Sequence, residues 1–212
     1  MTLLLFRTAP DHVAIVMDTL ATSPDLQPVN FMTKCRVMPH LQLAVAWTGV
    51  GPFGMRWTVA LEEQILARDI EMLDKYAPEV IARIWKDLGE EHDLGEMTST
   101  IYHFGLSERT GQYVGFAYRS TNRFVSERLQ YGFGIKPPLA VMDNFVEPDE
   151  IPDWIALAEA VRTEQDALPP EQRVSVGGAL TLTMLRDGAA ITTEIHRFED
   201  YDEAWNEMNS RL

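Results

Sequence analysis

The chain has little of several things that would mark common protein classes. It holds one cysteine, Cys35, in 212 residues, which excludes an intramolecular disulfide framework and a multi-cysteine zinc site. It is short of basic charge: 18 Lys and Arg stand against 32 Asp and Glu, a formal charge of −14. Nucleic acid and anionic membrane both require a basic face, so neither is expected as a partner. No apolar run approaches the length of a membrane span. The start, Met1 to Phe6, is apolar, but no basic stretch precedes it and Arg7 follows at once, which is not a secretory pattern. There is no phosphate-cradling glycine loop, no G-x-S-x-G elbow and no histidine pair at metal spacing. His12, His40, His92, His103 and His196 are scattered and read as surface or strand residues. The expectation is a cytoplasmic chain forming one domain over 1–212.

What is present is a hydrophobic content of 46% with 24% charged residues, a globular balance. Strands are expected over Leu3–Thr8 and His12–Met17, with Ala9-Pro10-Asp11 as the turn, and over Lys34–Met38 and Leu41–Thr48. Ser23 to Pro28 reads as a loop. The period then becomes helical from Met55 to Tyr76, and again from Pro78 to Leu88, with Gly89 as a stop and Glu90, Glu91 and Asp93 as a solvated loop. Strands return over Ser99–Leu106, Gln112–Arg119 and Glu127–Gly132. The acidic stretch Asp143 to Asp153 reads as a loop, and Pro152 opens a helix to about Leu168. Ala179–Leu185 and Ala190–Phe198 form a final hairpin, and Asp202 to Met208 a short helix. Strands in hairpins favour antiparallel sheets, so periodicity gives a layered α+β domain in which two helices follow the first sheet.

The residues with chemical potential lie early. Thr2 follows Met1 and is small enough for an aminopeptidase to expose it. A threonine hydroxyl beside its own α-amine is a nucleophile–base pair, because that amine titrates near working pH. Such a pair needs a cation, a carboxylate to fix the cation, and a backbone amide for the oxyanion. Asp18 ends the second strand sixteen residues on, Lys34 stands thirty-two residues on, and Gly49 follows the strand Leu41–Thr48.

In this spacing the chain resembles the proteasome-type N-terminal nucleophile hydrolases. Asp18-Thr19-Leu20-Ala21-Thr22 is similar to the family's Asp-x-x-Ala-Thr, and Val176-Gly177-Gly178 to its late Gly-Gly. The resemblance implies a four-layer α/β/β/α sandwich of two antiparallel sheets, assembly into a homo-oligomer, and a peptide or amide substrate. It implies Thr2 as nucleophile and base, Lys34 as pKa-lowering cation, Asp18 as its holder, Gly49 as oxyanion donor and Thr22 as a substrate-backbone contact. None of this chemistry calls for a metal or a cofactor. The chain also departs from the family. The auxiliary Gly-Ser-Gly is Gly132-Phe133-Gly134 here, and the late Asp-x-x-Ser has Arg173 and Val176 at its two positions. A retained Met1 would make the Thr2 nitrogen a peptide nitrogen, with no base function. The same fold with a degenerate site, acting in binding or assembly, is the alternative. Cys35 beside Lys34 reads as a buried small residue pointing to the other face of its strand. Trp47, Trp57, Trp85, Trp154 and Trp205 read as core or interface anchors, and the methionines as scattered fillers.

Overall fold

In the computed structural model, which describes residues 2–23, 25–139 and 147–211, three consecutive leucines set the layering. Leu3, Leu4 and Leu5 are all fully buried, although successive strand side chains point to opposite faces. Both faces of their sheet must therefore be covered. The strand they enter, β1 (Leu4–Thr8), pairs antiparallel with β2 (His12–Asp18) in the expected hairpin. After it come β3 (Leu20–Thr22), β4 (Pro28–Phe31), β5 (Cys35–Met38) and β6 (Leu43–Thr48). The helices α1 (Gly51–Glu63), α2 (Ile70–Asp74) and α3 (Ala77–Glu91) follow. Then come β7 (Thr100–Ser107), β8 (Gln112–Arg119), β9 (Ser126–Arg128), β10 (Gly132–Lys136), α4 (Ile151–Asp166), β11 (Ala179–Arg186), β12 (Ala189–Arg197) and α5 (Tyr201–Asn209).

Two five-stranded antiparallel sheets result, ordered β10-β1-β2-β11-β12 and β5-β6-β7-β8-β9. On the first sheet Leu3, Leu5, Val16 and Leu182 pack with Trp154, Ala158 and Val161 of α4. The intervening positions Leu4, Ile15 and Met17 face Ala44, Ala46 and Phe104 of the second sheet. Leu43, Val45 and Trp47 then face Phe53, Trp57 and Ile81 of α1 and α3. The layers run helix, sheet, sheet, helix: the α+β sandwich expected from the sequence. Each fully buried large side chain in these layers contributes roughly 1.5–3 kcal/mol of transfer free energy.

Several boundaries differ from the sequence reading. The helix expected over Met55–Tyr76 is two helices, because Asp69 starts a new one by accepting from the Met72 amide at 2.8 Å. Gly89 does not end α3. The helix runs on to Glu91, whose carboxylate takes the Arg56 guanidinium in two bonds, the first at 3.0 Å. Glu90 and Glu91 are thus helical. The single strand expected over Glu127–Gly132 is two strands in different sheets, β9 ending at Arg128 and β10 opening at Gly132 with φ 125°. Part of the acidic stretch from Asp143 lies outside the described residues, and Ile151 to Asp153 belong to α4. There, Glu150 and Asp153 close a reciprocal capping box.

The hairpin of β3 and β4 was not expected at all. Its loop closes with the Ser23 amide donating to the Gln27 carbonyl at 2.9 Å. Phe31 on β4 stacks on Tyr201 of α5, with ring centroids 4.6 Å apart. This hairpin roofs the cleft described next.

Candidate active site

Register brings the first pieces together. Leu4 pairs with Met17, so the residue before β1 lies across from the last residue of β2. The Leu3 amide donates to Asp18 Oδ1 at 3.0 Å. Asp18 is fully buried and accepts twice more, from Lys34 Nζ at 2.9 Å and from the Gly177 amide on Oδ2 at 3.3 Å. Lys34, 3% exposed, also donates to the Leu20 carbonyl at 2.5 Å. The Leu20 amide in turn donates to the Gly177 carbonyl at 3.1 Å, which ties β3 to the turn before β11. Gly177 packs closely on Leu20: a Cβ would stand 2.9 Å from Leu20 Cδ2, so a side chain there would require Leu20 to shift.

Burial pushes the Asp18 carboxyl up and the Lys34 ammonium down from their ordinary values. Their mutual attraction opposes both shifts. The pair is a charge-assisted hydrogen bond in a dry site, with the remaining carboxylate oxygen satisfied by backbone.

The oxyanion candidate, Gly49, lies between β6 and α1 at φ 97°, and a Cβ there would stand 2.1 Å from the Thr98 carbonyl oxygen. Only glycine suits that backbone. The next amide, Val50, is fixed by Ser99 Oγ at 2.8 Å. Thr2, Thr22, Lys34, Trp47, Gly49 and Met55 line one cleft of about 500 Å³. Thr2 is 4% exposed. The structure therefore brings Thr2, Thr22, Lys34 and Gly49 onto a common cleft, with Asp18 behind Lys34. Met1 lies outside the described residues.

Other sequence candidates settle elsewhere. Phe133, which the resemblance would set at an auxiliary-serine position, packs on α4 with its ring 5.9 Å from that of Trp154 and does not line the cleft. Val176 is buried in the same layer, and Arg173 pairs with Asp166 at 3.5 Å. Cys35 is buried between the sheets and burial pushes its thiol up to about 12, so the neighbouring ammonium does not activate it. His103 is buried, accepts from Trp57 Nε1 at 2.8 Å, and is held near 3 by burial, so it is neutral. Among the described residues no group of three His, Cys, Asp or Glu could hold a metal ion, and no helix is long and apolar enough to cross a membrane.

Sequence reasoning missed three contributors. The Leu20 carbonyl carries no side-chain signal. Gly177 was visible only as part of a Gly-Gly. Lys136, on the far side of Thr2, is a lone lysine before Pro137-Pro138 with no motif around it.

Comparison with known proteins bears on the fold. No protein-family model and no curated protein matches the chain. Among solved structures it is similar to Anbu (ancestral beta-subunit) from Yersinia bercovieri: TM-score 0.65, 10% identity, covering 99% of this chain and 92% of that one. It is also similar to an Anbu (Gly-1) mutant from Hyphomicrobium sp. strain MC1: TM-score 0.64, 9% identity, covering 100% and 93%. The fold is the proteasome-like sandwich. At such identity the likeness extends to the backbone arrangement; the chemistry has to be argued from this chain's own residues.

Proposed function

We propose that this chain is an N-terminal threonine hydrolase that cleaves an amide or peptide bond once Met1 is removed. The observation that carries the reading is the buried Lys34–Asp18 pair at the cleft lined by Thr2. The Asp18 carboxylate is held by the Leu3 amide, Lys34 and the Gly177 amide, and Lys34 by the Leu20 carbonyl of β3. An ion pair buried this deeply is costly to keep, which supports a role at the cleft.

In the proposed reaction Thr2 Oγ attacks the substrate carbonyl carbon while its proton passes to the Thr2 α-amine. The Gly49 N–H stabilises the oxyanion. Collapse breaks the C–N bond, and the departing amine takes the proton from the α-ammonium. Water then cleaves the resulting ester by the reverse use of the same amine, releasing the acid and restoring Thr2. The Lys34 ammonium favours the unprotonated amine and the developing alkoxide. Thr22 contacts the substrate backbone.

Intact mass of the protein from its native host, followed by labelling with a threonine-directed electrophile, tests this. Loss of Met1 is expected, with labelling of the parent and none of Thr2→Ala. Retained Met1, or equal labelling of both, overturns it. The positions occupied by Phe133, Arg173 and Val176 favour a second reading, a proteasome-like assembly subunit with a degenerate site; unlabelled, Met1-bearing protein would select it.

Homo-oligomerisation goes with either reading. It is supported by the exposed apolar residues Met55 and Val59 of α1, Leu66 after α1 and Tyr76 before α3. Light scattering giving a single-chain mass would remove it. We also take the chain as one cytoplasmic domain. A single cooperative unfolding transition and recovery in the soluble cell fraction are the expected results.

A further inference from the structure

Thr2 borders a second space. A cavity of about 180 Å³ is lined by Thr2, Thr48, Gly49, Thr98, Lys136 and Pro137. It meets the larger cleft at Thr2 and Gly49. Strand pairing explains why Lys136 is there. Lys136 is the register partner of Leu4, and Thr2 lies two residues before Leu4, on the same face of the strand direction.

The chemistry of Lys136 is unlike that of Lys34. Its ammonium donates to Thr48 Oγ1 at 2.9 Å and Thr100 Oγ1 at 3.1 Å. An ammonium has three donors, and among the described residues no carboxylate pairs with this one. The neighbouring cation, Arg119, has its own carboxylate, Glu127 at 3.0 Å. Among the described residues that acid is taken by Arg119 and Lys136 has none, in a chain that carries 32 acids to 18 bases. Burial, then Arg119, bring the Lys136 ammonium down to about 8, so it is still mostly charged at neutral pH. A partly buried cation held by neutral hydroxyls at the wall of a cavity is a site in want of an anion.

We propose that Lys136, with Thr48 and Thr100 positioning it, binds a carboxylate on the leaving-group side of Thr2, so that the amide cleaved is one whose amine carries that carboxylate. This rests on the hydrolase reading for its catalytic half, while the carboxylate subsite stands without it. At about 180 Å³ against about 500 Å³ for the cleft, the cavity is the smaller of the two spaces and suits one small amino-acid residue. The acyl part of the substrate then occupies the larger cleft. Such a site selects a free C-terminal residue over the interior of a peptide.

The binding half is read without turnover, in Thr2→Ala protein with isotope-labelled lysine side chains followed by nitrogen NMR. The Lys136 signal is assigned by its loss in Lys136→Gln. Glycine, the smallest such leaving group, is expected to raise the Lys136 titration midpoint by about half a pH unit or more, because a carboxylate favours the ammonium. Glycinamide is expected to leave it in place. No shift with glycine, or equal shifts with both, overturns the proposal. The catalytic half compares a peptide ending in a free carboxylate with its C-terminal amide. A preference of roughly tenfold or more in kcat/KM for the acid is expected in the parent and is lost in Lys136→Gln; an equal preference in both proteins overturns the assignment. A glycine-dependent shift in protein whose Thr2 takes no electrophile would retain the subsite and remove the hydrolase.

Discussion

The two lysines beside Thr2 solve the cost of a cation in a protein interior in opposite ways. Lys34 is almost fully buried and is met by the Asp18 carboxylate and the Leu20 carbonyl. Lys136 is partly buried and is met by two threonine hydroxyls. In the first case charge compensates charge inside the fold. In the second the compensation is left open toward a cavity. A closed pair holds structure and electrostatics in place, whereas an open cation is available to something that arrives.

The sharpest way to break this contrast is to remove one member of the closed pair. Asp18→Asn leaves Lys34 buried without its counter-charge and is expected to cost about 3–5 kcal/mol in denaturant unfolding. The double variant Asp18→Asn, Lys34→Met is expected to recover much of that loss, because no uncompensated charge remains. Additive losses would show that the pair is not coupled as its 2.9 Å contact implies.

Gly49, which borders both spaces, comes next. Gly49→Ala places a Cβ 2.1 Å from the Thr98 oxygen at φ 97° and is expected to cost about 2–3 kcal/mol. A neutral substitution would mean that the turn relaxes, and that its backbone is not fixed for an oxyanion.

Smaller effects should appear at Lys136. Its folded-state value of about 8 lies below the ordinary 10.5. Between those values the unfolded chain holds more proton than the folded one, so stability should rise with pH across that window. After allowance for solvent screening the gain is about 1–2 kcal/mol. The parent should show this slope and Lys136→Met should lack it; identical slopes would dissociate it from Lys136. The smallest change is expected from Lys136→Met at pH 7, within about 1 kcal/mol of the parent, since it removes a cation that no carboxylate among the described residues pairs with. A loss as large as that of Asp18→Asn would place Lys136 among the closed pairs and end the comparison.

Much of the fold was legible because it is written in local periods. β1, β2, β7, β8 and the final hairpin follow from apolar runs separated by Pro, Asp and Gly turns. The misplaced boundaries share a cause. Gly89 stays helical because Arg56, from another helix, holds Glu91 at the end of that turn. The β3–β4 hairpin forms because Phe31 stacks on Tyr201, some 170 residues further along the sequence. Neither partner is visible in a local window.

The same division runs through the site. The order of Thr2, Asp18, Lys34 and Gly49 along the chain could be read directly, since each sits at a strand end that the periodicity locates. What lies around them could not. The Gly177 amide reaches Asp18 only because β11 pairs with β2, and Lys136 reaches the Thr2 side only because β10 pairs with β1.

By itself, then, the sequence determined the charge, a layered α+β domain built from hairpins, and the positions of four residues at strand ends. The tertiary structure alone decided which lysine is closed and which is open. Periodicity states which face a side chain takes, but a counter-charge is supplied by whichever strand the sheet order brings alongside.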